Sequence, residues 1–260
     1  MQIKKILDKK GFIIDMDGVI YHGNNLLPGA LKFVNWLKTK KKNFLFLTNS
    51  SERSPRELKQ KLERLDVEVN EDHFYTSALA TASFLARQCP GGSAYVIGDA
   101  GLTNALYDVD FSMNDVNPDY VIVGETRTYS FEKIEHAAQL VMGGAKLIGT
   151  NPDLTGPSEA GIVPATKALI SPIELTTGKK AYFVGKPNPL MMRDAMKKLG
   201  TKREETIIIG DRMDTDVISG IESEIDTILV LSGVTDEEVI KQFAYRPDFI
   251  MNGIGDIIGE

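Results

Sequence analysis

Cysteine is almost absent. Cys89 stands alone among 260 residues, which excludes an intrachain disulfide and fits a reducing compartment. Histidine is scarce as well: His22, His73 and His136 lie far apart, without the spacing of a histidine-built metal site. No apolar run approaches the ~18 residues that a membrane-spanning helix needs. The lysine-rich opening Met1-Gln2-Ile3-Lys4-Lys5 has no apolar core, so a cytoplasmic protein with no membrane partner is expected. Basic charge is not in excess either. The formal net charge is −6, which argues against a nucleic-acid polymer as partner, because such binders neutralise phosphates with basic patches. A small phosphorylated molecule stays compatible, since local cations override the global field. Internal repeats, low-complexity tracts and a Gly-x-x-x-x-Gly-Lys-Ser/Thr segment are all missing, and the last absence removes Walker-type nucleotide hydrolases.

What is present is an alternation of short apolar runs and amphipathic stretches, the pattern of a parallel sheet with helices on both faces. Phe12-Ile13-Ile14, Phe44-Leu45-Phe46-Leu47, Thr206-Ile207-Ile208-Ile209 and Ile228-Leu229-Val230-Leu231 read as buried strands. Pro28 to Lys42 reads as a helix, with Leu31, Val34 and Leu37 on one face and lysines crowding its C-terminal end. Ser54-Pro55-Arg56-Glu57 is a helix start with a serine cap, proline at the first position and glutamate at the third. From about Ser77 the character changes. Tyr95-Val96-Ile97, Tyr120-Val121-Ile122-Val123 and Lys146-Leu147-Ile148 read as strands, with a helix from Ser130, but the paired acids are missing. After Lys180 the first pattern resumes, with Tyr182-Phe183-Val184 read as its next strand and helices from Pro189 and from Met213. The expectation is a discontinuous α/β core, residues 1–77 and 179–260, interrupted by an inserted α/β domain at 78–178.

Four segments at the ends of the first pattern's strands carry chemistry. Asp15-Met16-Asp17-Gly18 places two carboxylates two residues apart, on one face of an extended chain. One carboxylate can attack phosphorus, and a second can protonate a leaving oxygen and then activate water. Thr48-Asn49-Ser50 offers a hydroxyl and backbone amides for phosphoryl oxygens. Lys186, between Gly185 and Pro187, supplies a cation for a carboxylate and a phosphate together. Gly210-Asp211-Arg212-Met213-Asp214-Thr215-Asp216 adds a late acidic group of the kind that holds Mg²⁺ through oxygen. Each segment has a plainer reading when taken singly: acid–glycine pairs and Thr-Asn-Ser punctuate strand ends, a lysine before a helix is often a surface residue, and Asp214 suits a helix N-terminus.

In combination and in this order the four segments, together with Asn151-Pro152-Asp153, resemble the haloacid dehalogenase (HAD) superfamily phosphatases, in their NagD/p-nitrophenylphosphatase-like branch. The resemblance covers nearly the whole chain. It implies a doubly wound, Rossmann-like parallel-sheet core and, because only a short flap and one helix fit between Asp17 and Thr48, a C2-type α/β cap inserted after Thr48. It implies Asp15 as nucleophile and Mg²⁺ ligand, and Asp17 as acid/base and backbone ligand. Thr48, Asn49 and Lys186 would bind phosphate, Asp211 would be the carboxylate ligand, and Asp216 would support the metal from behind. Asn151 and Asp153 would select substrate. The implied activity is Mg²⁺-dependent hydrolysis of a small phosphorylated metabolite through an aspartyl-phosphate, a nucleoside monophosphate first and a sugar phosphate or phosphoglycolate second. The resemblance is compatible with a homodimer. Receiver-type phospho-aspartate signalling modules share parts of this equipment, but the inserted domain, the Asp-x-Asp pair and the late Asp211/Asp216 pair argue against them, and the complete motif set argues against a non-catalytic metabolite-binding protein.

Overall fold

The computed structural model describes residues 2–158 and 161–259. The chain divides into two compact units, one made of Met1–Thr48, Leu58–Tyr75 and Met191–Glu260, the other of Asn49–Glu57 and Thr76–Leu190.

The first unit is built on a six-stranded sheet in the order Phe249–Met251, Asp226–Val230, Thr206–Gly210, Gly11–Ile14, Asn43–Thr48, Phe74–Thr76. Gly11–Ile14 is parallel to both its neighbours, with Ile14 beside Ile209 on one side and Phe46 on the other. Every residue of this strand and of Thr206–Gly210 is buried. That is why both read as unbroken apolar runs rather than alternating ones. The chain leaves Gly11–Ile14 towards Asn43–Thr48 and returns on the other side through Thr206–Gly210, so the winding reverses between two adjacent strands. Sheets of this kind bind ligands at the carboxyl edge beside such a reversal.

Helix Ala30–Thr39 buries Ala30, Phe33, Val34 and Leu37. The Phe33 and Trp36 rings stack at 5.7 Å, and Phe12 meets Trp36 edge-on. Trp36 is thus a packing residue, as its place on an otherwise lysine-rich helix suggests. Ser54 and Glu57 form the expected reciprocal cap. The Ser54 N–H donates to Glu57 Oε2 at 2.8 Å, and the Glu57 N–H donates to Ser54 Oγ at 3.4 Å. The stretch from Met213 is not a plain α-helix: Met213–Val217 is a wider π-helical turn that runs into the short α-helix Ile218–Glu222.

The second unit has its own parallel sheet, ordered Tyr182–Phe183, Lys146–Gly149, Tyr120–Val123, Ser93–Ile97, Ser112–Met113. Its core joins Ile97, Val121, Val123 and Leu147 to residues of the helices Phe131–Met142 and Thr166–Thr177. Ser130 caps the first of these helices, accepting from the Lys133 N–H. Here one expectation is corrected. Tyr182–Phe183 does not join the first sheet; it pairs with Ile148 and Gly149 of the second. A Cβ on Gly149 would lie 2.4 Å from the Phe183 ring, so the missing side chain makes the space in which that ring packs.

Candidate active site

In the first unit, the Asp15 N–H donates to Ile209 O at 2.8 Å. This extends the parallel ladder one residue past Ile14 and holds Asp15 at the sheet edge. Asp211 follows the adjacent strand, and its Oδ2 accepts the Val234 N–H at 2.7 Å. Asp216 lies in the π-helical turn, where its Oδ2 accepts the Arg212 N–H at 3.1 Å. One carboxylate oxygen from each of Asp15, Asp211 and Asp216 lies within 4.8 Å of the others. Asp15 is partly exposed, whereas Asp211 and Asp216 are almost fully buried.

Three glycines make this crowding sterically feasible. A Cβ on Gly18 or Gly233 would lie 2.5 or 2.0 Å from Asp211 Oδ2, and one on Gly210 would lie 2.2 Å from Asp216 Cγ. Gly18 also adopts φ +80°, a left-handed conformation that L side chains disfavour. Ser232 Oγ donates to Gly18 O at 2.7 Å, so the loop after strand Asp226–Val230 braces both Asp211 and the turn after Asp17. The role of this Ser232-Gly233-Val234 loop escapes a sequence reading, whose only hint is a Ser-Gly pair after an apolar run.

Three carboxylates this close repel one another unless a cation sits among them. An all-oxygen donor set of this size suits a hard divalent cation. The residues therefore fit Mg²⁺.

Asp17 lies outside this cluster. Its Oδ1 is 3.5 Å from His22 Nδ1, in the two-stranded flap formed by Tyr21–His22 and Asn25–Leu26. Thr48 ends strand Asn43–Thr48. Asp214 forms a surface ion pair with Arg212 at 2.8 Å.

The other expected residues gather in the second unit. Asn49 brackets the backbone of Lys186: its Oδ1 accepts the Lys186 N–H at 2.7 Å, and its Nδ2 donates to Lys186 O at 3.0 Å and to Asp153 Oδ2 at 3.1 Å. Its amide acceptor and both amide donors are thereby committed. Asn151 is fully buried. Its Nδ2 donates to Asn49 O at 2.7 Å and to Glu125 Oε1 at 2.6 Å, and its Oδ1 accepts the Asp153 N–H. Lys186 is 2% exposed, and Gly185 allows the close approach, since a Cβ there would sit 2.7 Å from Asn49 Oδ1. Glu125 and Ser51 were not expected. Glu125 Oε2 accepts both the N–H and the hydroxyl of Ser51. Burial pushes the Glu125 carboxyl up from the usual range, the Ser51 and Asn151 donors pull it back, and Asp153 pushes it up again.

Comparison with known proteins matches this arrangement to a family. Residues 12–112 fit the haloacid dehalogenase-like hydrolase model, and residues 183–257 fit a second HAD-hydrolase-like model. The chain belongs to the HAD-like hydrolases. It is 45% identical over 246 residues to a dihydroxyacetone phosphatase of Corynebacterium glutamicum, covering 95% of this chain and 90% of the relative. It is 42% identical over 248 residues to the ribonucleotide monophosphatase NagD of Escherichia coli, covering 95% and 98%. A solved 4-nitrophenylphosphatase from Thermotoga maritima superposes with a TM-score of 0.93 at 33% identity, over 99% of this chain and 98% of that one. This HAD protein is accordingly a hydrolase acting on phosphomonoesters, of the NagD-like branch, with the α/β architecture of that branch. Among the described residues no helix is long and apolar enough to cross a membrane.

Proposed function

We propose that this HAD phosphatase is Mg²⁺-dependent and hydrolyses small phosphomonoesters through an aspartyl-phosphate, with nucleoside monophosphates preferred. The observation that carries the reading is the cluster of Asp15, Asp211 and Asp216 oxygens within 4.8 Å, beside the point where the sheet's winding reverses. The Asp15 carboxylate attacks phosphorus, and the bond from phosphorus to the ester oxygen breaks. Asp17 gives its proton to the departing oxygen. Asp17 then takes a proton from water, the water oxygen attacks the aspartyl-phosphate, and phosphate leaves as Asp15 is regenerated. Asp15, Asp211 and the Asp17 carbonyl would hold Mg²⁺, with Asp216 in support. When bound, that ion supplies positive charge opposite the phosphoryl oxygens. Thr48 and Lys186 hold the phosphoryl group, with Asn49 setting the lysine's backbone. The inserted domain, residues 78–178, acts as the cap. Its Asp153 contributes to substrate selection, while the amide of Asn151 is committed within the fold.

A second reading of the substrate, a three-carbon or sugar phosphate, is supported by the 45% identity to a dihydroxyacetone phosphatase. One experiment tests both: phosphate release from nucleoside monophosphates, sugar phosphates, dihydroxyacetone phosphate and phosphoglycolate, with Mg²⁺ and with EDTA. Wild-type turnover should need the metal, and Asp15→Asn should lower it by at least about 10³-fold. Full activity of Asp15→Asn would overturn the mechanism. A preference for the three-carbon ester would replace the nucleotide reading.

A further inference from the structure

The second sheet has a carboxyl edge of its own, and the chain uses it. Its three adjacent strands Tyr182–Phe183, Lys146–Gly149 and Tyr120–Val123 are parallel, so the residues that follow them emerge side by side. Those residues are Gly185-Lys186, Thr150-Asn151 and Gly124-Glu125. The backbone ladder continues past each strand end, with the Gly124 N–H on Ile97 O at 2.8 Å, the Thr150 N–H on Val123 O at 2.9 Å and the Gly185 N–H on Thr150 O at 2.7 Å. Asn49 and Ser51 lie against this row.

We infer that Glu125 is a positioning residue: its carboxylate anchors Ser51 and Asn151, and these hold Asn49 in the pose that brackets the Lys186 backbone. The inference rests on the reading of Lys186 as the phosphoryl-binding cation.

The chain of contacts is continuous. Glu125 Oε2 takes the Ser51 N–H at 2.9 Å and the Ser51 hydroxyl, and Ser51 Oγ in return accepts the Glu125 N–H at 3.2 Å. Ser51 is two residues from Asn49, so this reciprocal pair fixes the loop from below. Glu125 Oε1 takes Asn151 Nδ2, which also donates to Asn49 O. A second hydroxyl, Thr150 Oγ1, donates to Ser51 Oγ at 3.2 Å. Asn49, Ser51, Thr150 and Asn151 are all buried, where a lost hydrogen bond is not replaced by water. A carboxylate is the group this junction needs, because three donors converge on it, two on Oε2 and one on Oε1, so both oxygens must accept. A glutamine has one acceptor oxygen, and its amide would face a donor with a donor.

The test is backbone amide exchange on the full chain, read on segment 182–190 and on strand Thr206–Gly210, with kcat and KM for p-nitrophenyl phosphate measured alongside. Glu125→Gln should speed exchange of the 184–186 amides about tenfold, the order expected for one lost hydrogen bond to a charged group, and leave Thr206–Gly210 protected. It should lower kcat about tenfold with a smaller change in KM. The kcat loss should vanish in a Lys186→Ala background, since residues acting through one another are not additive. Ser51→Ala should give the same pattern in milder form if Glu125→Gln folds poorly. Unchanged exchange at 184–186 overturns the inference whatever the activity does. Wild-type turnover by Lys186→Ala would instead remove the phosphoryl role of Lys186, and the exchange result would still decide whether Glu125 holds that segment.

Discussion

A methyl group at position 233 would lie 2.0 Å from Asp211 Oδ2, closer than any non-bonded carbon and oxygen can come. Gly233→Ala must therefore displace the carboxylate or the loop that donates the Val234 N–H to it. The expected outcome is a rise of about 10- to 100-fold in the Mg²⁺ concentration for half-maximal hydrolysis, the usual effect of disturbing a group behind a metal ligand. A Mg²⁺ titration of the variant checks this, and an unchanged half-saturation point would mean that the loop can give way without moving Asp211. At this scale the acids were legible and their braces were not. Asp15, Asp17, Asp211 and Lys186 stand out only as a set, because each ends a strand of one pattern and together, in this order, they match a family's motifs. Ser51 and Glu125 do not stand out, because a serine in a turn and a glutamate after a strand are ordinary until a third segment supplies Asn151.

Among the elements, the short helix Glu71–His73 carries a pH dependence. His73 Nδ1 accepts the Asn70 N–H at 3.2 Å in a capping box, and its ring stacks on Phe44 with centroids 4.3 Å apart. Burial is the main cause holding the His73 pKa below its ordinary 6.5. The unfolded chain therefore takes up this proton at a higher pH than the folded one. Stability from this group is complete above 6.5 and is lost as pH falls from there through the lowered folded value. Urea melts from pH 7.5 to 5 should show that slope, and His73→Gln should flatten it. A variant with the wild-type slope would assign the dependence to other groups.

The strands show the same division as the residues. Gly11–Ile14, Asn43–Thr48 and Thr206–Gly210 announce themselves because burial on both faces demands unbroken apolar runs. Phe74–Thr76 and Phe249–Met251 are three residues each, too short for any period to register. Tyr182–Phe183 is a clear apolar pair, yet nothing local says which sheet it joins. The space over Gly149 decides that.

For the molecule as a whole, a bound ion should register as stability. A ligand held only by the folded state adds about 2.7 kcal/mol at one hundred times its Kd. Thermal melts should therefore move upward with Mg²⁺ and fall back with EDTA, and Asp211→Asn should remove the shift without unfolding the chain. A melting point indifferent to Mg²⁺ would argue against the cluster of Asp15, Asp211 and Asp216 as its site.

The order of apolar runs was enough to determine the α/β class, and the motifs that punctuate them, through their resemblance to the HAD phosphatases, pointed to a hydrolase of phosphomonoesters. Those signals are local: burial of parallel strands and the placing of charge at strand ends leave their mark within a few residues. Three matters were decided only by the tertiary structure. They are the glycines that let three carboxylates crowd together, the sheet that receives Tyr182–Phe183, and the Ser51, Glu125 and Asn151 junction behind Lys186. Each depends on groups distant in sequence meeting within hydrogen-bonding or van der Waals range, and the local pattern around any one of them carries no record of its partners.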